Sequence, residues 1–255
     1  MITFRLSHKH LLQFMKPFDD VWEEGVLYIS KEGWLMRTMN PAHTMMWSVR
    51  IFPSAFEEYP SDITDTKIGL EFPSLLTFLE FTDKDSEIEI SFDKKEYYLR
   101  SGNITDRKRI RNHNRIQKPT PPSLTHTGEF LNLPNRDLRT FIHLLNHQSF
   151  KGTDMRWNEL GDIELQGRDG VETSDLTLEV RGIENTLRLD GDETDPRFVS
   201  NYPTELLQHL SLSIGIDETI NRIRFAMDYP VEFMILLDGG QIEMKALIAP
   251  RVVIE

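Results

Sequence analysis

The groups in this sequence best suited to bond chemistry are few. His8 and His10, His113, and the acidic run Asp190-Gly191-Asp192-Glu193-Thr194-Asp195 are the places where a metal could be imagined. The acidic run begins like a calcium loop. It has Asp195 where the sharp turn needs glycine at the sixth position, and no bidentate Glu closes it at the twelfth. The histidines lack partners at zinc spacing, so they read as solvent-facing side chains. There is no Cys, which excludes disulfides, thiolate metal sites and a cysteine nucleophile. No Walker loop, GxGxxG, HExxH or nucleophile elbow occurs. The expected sets of catalytic residues, cofactors and metal ligands are therefore empty, and the chain reads as a binding protein, not an enzyme.

Two other patterns could do physical work by binding. Lys9, Gln13 and Lys16 recur at helical spacing, as do Arg136, Arg139, His143 and His147, each set opposite an apolar stripe. Corresponding positions of two further helices are only weakly polar: Ser74, Thr77 and Glu80, then Thr204, Gln208, His209 and Ser211. The second pattern is apolar. A strand through Met39 breaks at Asn40-Pro41 and resumes through Met45, Trp47, Val49 and Ile51, a connection that presents Met39, His43 and Met46.

The elements that must hold these groups come twice. With 255 residues, 39% hydrophobic, the chain has material for one large domain or two of about 100–150 residues. The first half reads as a strand, a short helix with Leu11, Phe14 and Met15 ended by Pro17, and strands at 26–29, 34–39 and 67–72. A second helix at 73–81, a hairpin at 87–92 and 97–100, and a basic strand at 104–111 follow. Past Pro119, Pro121 and Pro122 the order restarts with Phe130, Leu131 and Leu133 before a helix at 135–147. A shift of about 127 residues superposes Leu6, Leu11 and Phe14 on Leu133, Leu138 and Phe141, and Phe72-Pro73 matches Tyr202-Pro203 at about 130. The net charge of −12 argues against binding nucleic acid with the whole surface but leaves room for a local basic patch. No apolar run approaches the ~20 residues of a membrane span, and the first ten residues lack a signal peptide's apolar centre. A soluble cytoplasmic protein without a membrane partner is expected.

Three short segments resemble the archaeal and eukaryotic sliding clamps of the PCNA type. The family's MDPSH turn stands here as Met39-Asn40-Pro41-Ala42-His43, its F-EEY segment as Phe56-Glu57-Glu58-Tyr59, and its LAP-K/R-I tail as Leu247-Ile248-Ala249-Pro250-Arg251-Val252. Asn40 and Ala42 depart from the family's Asp and Ser. The resemblance implies an α+β fold of two similar clamp domains, residues 1–111 and 128–255, joined by an interdomain connector at 112–127. It implies three subunits in a ring around double-stranded DNA, with continuous antiparallel sheet outside and short helices lining the hole. Lys9, Lys16, Arg136, Arg139, His143 and His147 would then face DNA. Met39, His43, Met46, Ile116, Pro230, Leu247, Ala249 and Pro250 would form the pocket for partner peptides of the PIP-box kind. The implied partners are DNA polymerase, a clamp loader and other replication or repair enzymes, the ring conferring processivity. The setting would be the cytoplasm of an archaeon or a virus-infected cell, or the nucleus in a eukaryote.

The same resemblance pairs the strand at 104–111 with the strand at 173–180 of a neighbouring subunit. Arg107, Lys108, Arg109 and Arg111 on one edge and Glu172, Asp175 and Glu179 on the other would favour a head-to-tail homotrimer rich in ion pairs. The thin positive charge on the helices keeps two alternatives open: a subunit of a heterotrimeric or checkpoint-type ring, and a non-ring peptide-binding regulator.

Overall fold

A computed structural model of the chain describes residues 1–19, 22–123, 128–157, 163–169, 172–180, 199–226 and 229–251. The acidic run at 190–195 and Val252 lie outside them. The first elements in chain order are β1 (Ile2–Ser7), α1 (His8–Met15), β2 (Glu24–Ser30), β3 (Gly33–Met39), β4 (Met45–Ile51), β5 (Phe56–Glu58) and β6 (Thr66–Glu71). Then come α2 (Phe72–Phe81), β7 (Glu87–Phe92), β8 (Glu96–Ser101) and β9 (Ile104–Arg109). The order repeats with β10 (Gly128–Pro134), α3 (Asn135–His147), β11 (Gly152–Trp157), β12 (Ile163–Asp169), β13 (Glu172–Val180), β14 (Val199–Pro203) and α4 (Thr204–Ser213). The chain ends on β15 (Thr219–Phe225), β16 (Val231–Leu237) and β17 (Ile242–Ile248). The described residues fall into two compact units. One draws on Met1–Pro41, Met46–Thr120 and Leu236–Met244, the other on Ala42–Met45, Pro121–Ile235 and Lys245–Glu255.

In the first unit two antiparallel sheets run β5-β1-β7-β8-β9 and β4-β3-β2-β6. Alternating burial along β1 and β3 turns Phe4 and Trp34 toward each other. Trp34 makes edge contacts with Phe4 at 4.9 Å and Phe56 at 5.0 Å between ring centroids. Tyr59 closes the cluster against Phe56 at 4.9 Å and donates its hydroxyl to the Ser30 carbonyl at 2.5 Å. Burial pushes the Tyr59 phenol up to about 12, so it stays a neutral donor. The Phe56-Glu57-Glu58-Tyr59 segment therefore sets two exposed acids between aromatics that pack on the core. Gly33 sits at φ 113° in the tight β2–β3 connection, where a side chain would be strained and would collide with the Ile51 carbonyl.

The second unit repeats the plan, with sheets β13-β12-β11-β14 and β10-β15-β16. Each unit carries two helices packed side by side, α1 with α2 and α3 with α4. The first residue of the first helix fastens each pair. His8 is buried and its Nε2–H donates to the Leu79 carbonyl of α2 at 2.8 Å. Asn135, at the equivalent position, donates from Nδ2 to the Ser211 and Gly215 carbonyls, each at 2.9 Å. The backbone N–H groups of the same two residues donate to Ser86 and Glu218 at 2.9 Å. His8 is thus not the solvent-facing residue its polar neighbours suggest. The last carbonyls of a helix have no partner within it, and a buried helix end draws a donor from elsewhere.

The aromatic cluster predicts a specific stability pattern. Trp34→Ala should cost about 3–5 kcal/mol by cavity formation. Trp34→Phe should cost far less, because Nε1 has no hydrogen-bond partner among the described residues and the ring contacts largely survive. Denaturant midpoints of the two variants check this; equal losses would contradict the account.

Candidate functional site

Six residues were expected on a DNA-facing surface, and acids accompany half of them. Lys9, exposed on α1, pairs with Asp238. Lys16 lies just past α1 in the 3-10 turn Lys16–Phe18 and pairs with Asp19 at 2.5 Å. Arg136, in the first turn of α3, pairs with Asp217. Arg139 is half-buried, and His143 and His147 are exposed. Among the described residues these last three have no acid within ion-pair reach. Each pair is at least partly solvated, so each is worth little in stability. Its larger effect is on the field, since a cation beside an acid offers phosphates little net charge.

The eight residues expected in a peptide pocket divide between the units. In the first, Met39 ends β3 directly opposite Met46 at the start of β4. Met46 is only 6% exposed, so it is a core residue and not a presented one. Both faces of β4 are covered at its start, which simple strand alternation does not foresee. Ile116, also buried, lies over Gly69 of β6. A Cβ at Gly69 would stand 2.5 Å from the Arg111 carbonyl and 2.9 Å from Ile116 Cδ1, so the connector seats only because that position is glycine.

The other five residues belong to the second unit. His43 is exposed at φ 58° in the connection that follows Pro41. Its neighbour Thr44 accepts a hydrogen bond from the Ala249 N–H at 2.8 Å, which sets the His43 turn beside Ala249 and Pro250. The Arg251 N–H donates to the Asn201 carbonyl at 2.7 Å and pins the tail further. Leu247 is buried; Pro230, Ala249 and Pro250 are half-buried.

The charges expected at a subunit contact are engaged differently from expectation. β9 and β13 are both outer strands of their sheets. Arg107 pairs with Glu96 at 2.5 Å and Lys108 with Asp106 at 2.9 Å. Arg111 is not on the outer strand. β9 ends at Arg109, and Arg111, still exposed, leaves that strand for a bridge with Gly69 of β6 and an ion pair with Glu71 at 3.0 Å. Arg109 is exposed and makes no ion pair among the described residues. Glu172 and Glu179 lie on β13 opposite Asp169 and Glu164, an acidic ribbon; the Asp175 side chain lies outside the described part.

No family model matches the chain. Among curated proteins it is 22% identical over 240 residues to the DNA polymerase sliding clamp of Methanococcoides burtonii, covering 90% of each chain. Among solved structures it superposes on that of the C-terminal region of FEN-1 bound to A. fulgidus PCNA, with TM-score 0.87, 17% identity and all of both chains covered. PCNA from Thermococcus kodakaraensis gives TM-score 0.79 at 16% identity, over 98% of this chain and 100% of that one. The fold is that of the DNA-clamp class, two similar domains of sheet and short helices, as the sequence led us to expect. In sequence the chain is similar to archaeal DNA polymerase sliding clamps, and in fold to PCNA.

The Arg107–Glu96 pair yields a titration test. The hydrogen bond from Arg107 holds the Glu96 carboxyl below its ordinary value of 4.5, with Tyr98 adding to the effect. A carboxyl depressed on folding stabilises the fold above its unfolded value, and that contribution is lost as pH falls through the folded one. Carbon-detected NMR should place the Glu96 midpoint lower in the wild type than in Arg107→Ala. An unchanged midpoint would contradict the pairing.

Proposed function

We propose that this chain is a DNA sliding clamp: three copies closing head to tail into a ring around duplex DNA and tethering a polymerase and other replication or repair enzymes. The observation that carries this reading is the repeated unit itself. Each half supplies two helices side by side and an outer strand left for another chain, β9 on one unit and β13 on the other, within a fold similar to clamps along its full length. Two different edges on one molecule favour heterologous contact, which closes into a ring when the rotation allows. The mechanism is topological and needs no bond chemistry. Encircling DNA replaces tight binding, and tethering raises the effective concentration of the enzyme at the primer end. Partner peptides would dock near Met39, His43, Ile116, Pro230, Leu247, Ala249 and Pro250, and a clamp loader would open the ring. The protein would act wherever its genome is replicated, in the cytoplasm of an archaeal cell for instance.

The acids beside Lys9, Lys16 and Arg136 suit a ring that slides: phosphate contacts are weak, independent of sequence and easily screened. Polymerase processivity on primed DNA tests the assignment. Arg136→Glu with Arg139→Glu should shorten extension products while leaving assembly intact. Asp217→Asn, which releases Arg136, should lengthen the residence of the ring on DNA and steepen its salt dependence. Wild-type processivity in the first variant and unchanged residence in the second would remove these residues from the DNA surface.

A further inference from the structure

A buried carboxylate stands behind the tail at 247–251. The tail is held at two backbone points. Ala249 N–H donates to the Thr44 carbonyl at 2.8 Å and Arg251 N–H to the Asn201 carbonyl at 2.7 Å, while Pro250 between them has no N–H to offer. Asn201 lies on β14 directly opposite Asp154 of β11. Its carbonyl bonds the tail and not β11, which makes the two residues a pair whose side chains approach closely. Asp154 Oδ1 accepts from Asn201 Nδ2 at 2.7 Å, and Oδ2 accepts from Arg168 Nη1 of β12 at 3.1 Å. Asp154 is 5% exposed. A carboxylate so buried is costly unless donors of this kind surround it. Gly152, two residues earlier on the same face of β11, completes the arrangement. A Cβ there would stand 2.5 Å from Arg251 Nη1 and 2.7 Å from Asn201 Oδ1, so the missing side chain is the notch that admits both.

We propose that Asp154 is a positioning residue for partner docking: by fixing the Asn201 side chain it sets where the Asn201 carbonyl holds the tail, and so governs affinity for partner peptides without touching them. The proposal rests on the reading above that peptides dock at Leu247, Ala249 and Pro250. β14 is the outer strand of its sheet, so its backbone is held by a single ladder, to β11. The Asp154–Asn201 bond adds a second hold at the one residue of β14 on which Arg251 depends. Arg251 itself makes no ion pair among the described residues, so its seat is set by that backbone bond and by the Gly152 notch. A tail fixed before the peptide arrives spares the cost of ordering it on binding. The Asp154 carboxylate therefore acts on affinity through preorganisation, from beneath the surface that a peptide would meet.

Calorimetric titration of the full chain with a synthetic peptide of the FEN-1 C-terminal region, the ligand in the similar A. fulgidus structure, tests this. Asp154→Leu, similar in shape but without an acceptor, should weaken binding roughly tenfold, the loss expected when one hydrogen bond no longer holds the docking segment. Its Arg251 amide should also lose protection from hydrogen exchange. Asp154→Asn keeps an oxygen for Asn201 Nδ2 and should bind within about twofold of the wild type. Asn201→Ala removes the amide and leaves the carbonyl; adding Asp154→Leu to it should cost no further affinity, because Asp154 acts through that amide. Ile220→Val, a core change in β15 of the same unit, should lower the denaturant midpoint and leave affinity unchanged, which separates positioning from general loss of stability. Wild-type affinity with a protected Arg251 amide in Asp154→Leu would overturn the proposal while leaving the docking reading in place. A wild-type chain that does not bind the peptide would overturn the docking reading, and the proposal with it.

Discussion

Two helices lying side by side on a sheet end with carbonyls that nothing in the helix can satisfy, and leaving such a group buried and unpaired costs about 1–3 kcal/mol. In both units one side chain at the first position of the first helix removes that cost: His8 in one, Asn135 in the other. The chemistry differs and the geometry does not. An imidazole Nε2–H and an amide Nδ2–H reach the last turn of the companion helix, and the two backbone N–H groups bond the loop that follows it. Because this clasp fixes each helix pair, it also fixes which side chains look outward from it. The charged face of α1 and α3, the exposed end of α2 and the strands that flank them all inherit their placement from that junction.

Much of this architecture was legible in the sequence. The helix at 135–147 follows from Leu138, Phe141, Ile142 and Leu145, and the structure gives it those bounds. The β7–β8 hairpin follows from its alternation around Asp93-Lys94-Lys95, where Asp93 accepts from the Lys95 and Glu96 N–H groups at 2.7 Å. The repeat was visible because both halves must bury the same two faces with residues of the same kind. These are local or periodic properties, and they survive divergence to 22% identity.

The parts that were not legible depend on distant partners. Lys9 and Asp238 are 229 positions apart, and Arg136 and Asp217 are 81 apart, so the acids that mute the helix charges could not be assigned from spacing. The departure of Arg111 from β9 depends on Gly69, a glycine whose role shows only when the Arg111 carbonyl is seen against it. Phe81 shows the limit of local pattern. It follows the buried Leu75, Leu76, Phe78 and Leu79 in the same helix and is itself 80% exposed.

Closure is the central claim, since a head-to-tail contact that fails to close generates filaments instead of rings. Negative-stain electron microscopy of the purified chain addresses it directly. The account predicts closed rings with three-fold symmetry and a central hole wide enough for duplex DNA. Fields of isolated particles the size of one chain, or open filaments, would contradict it.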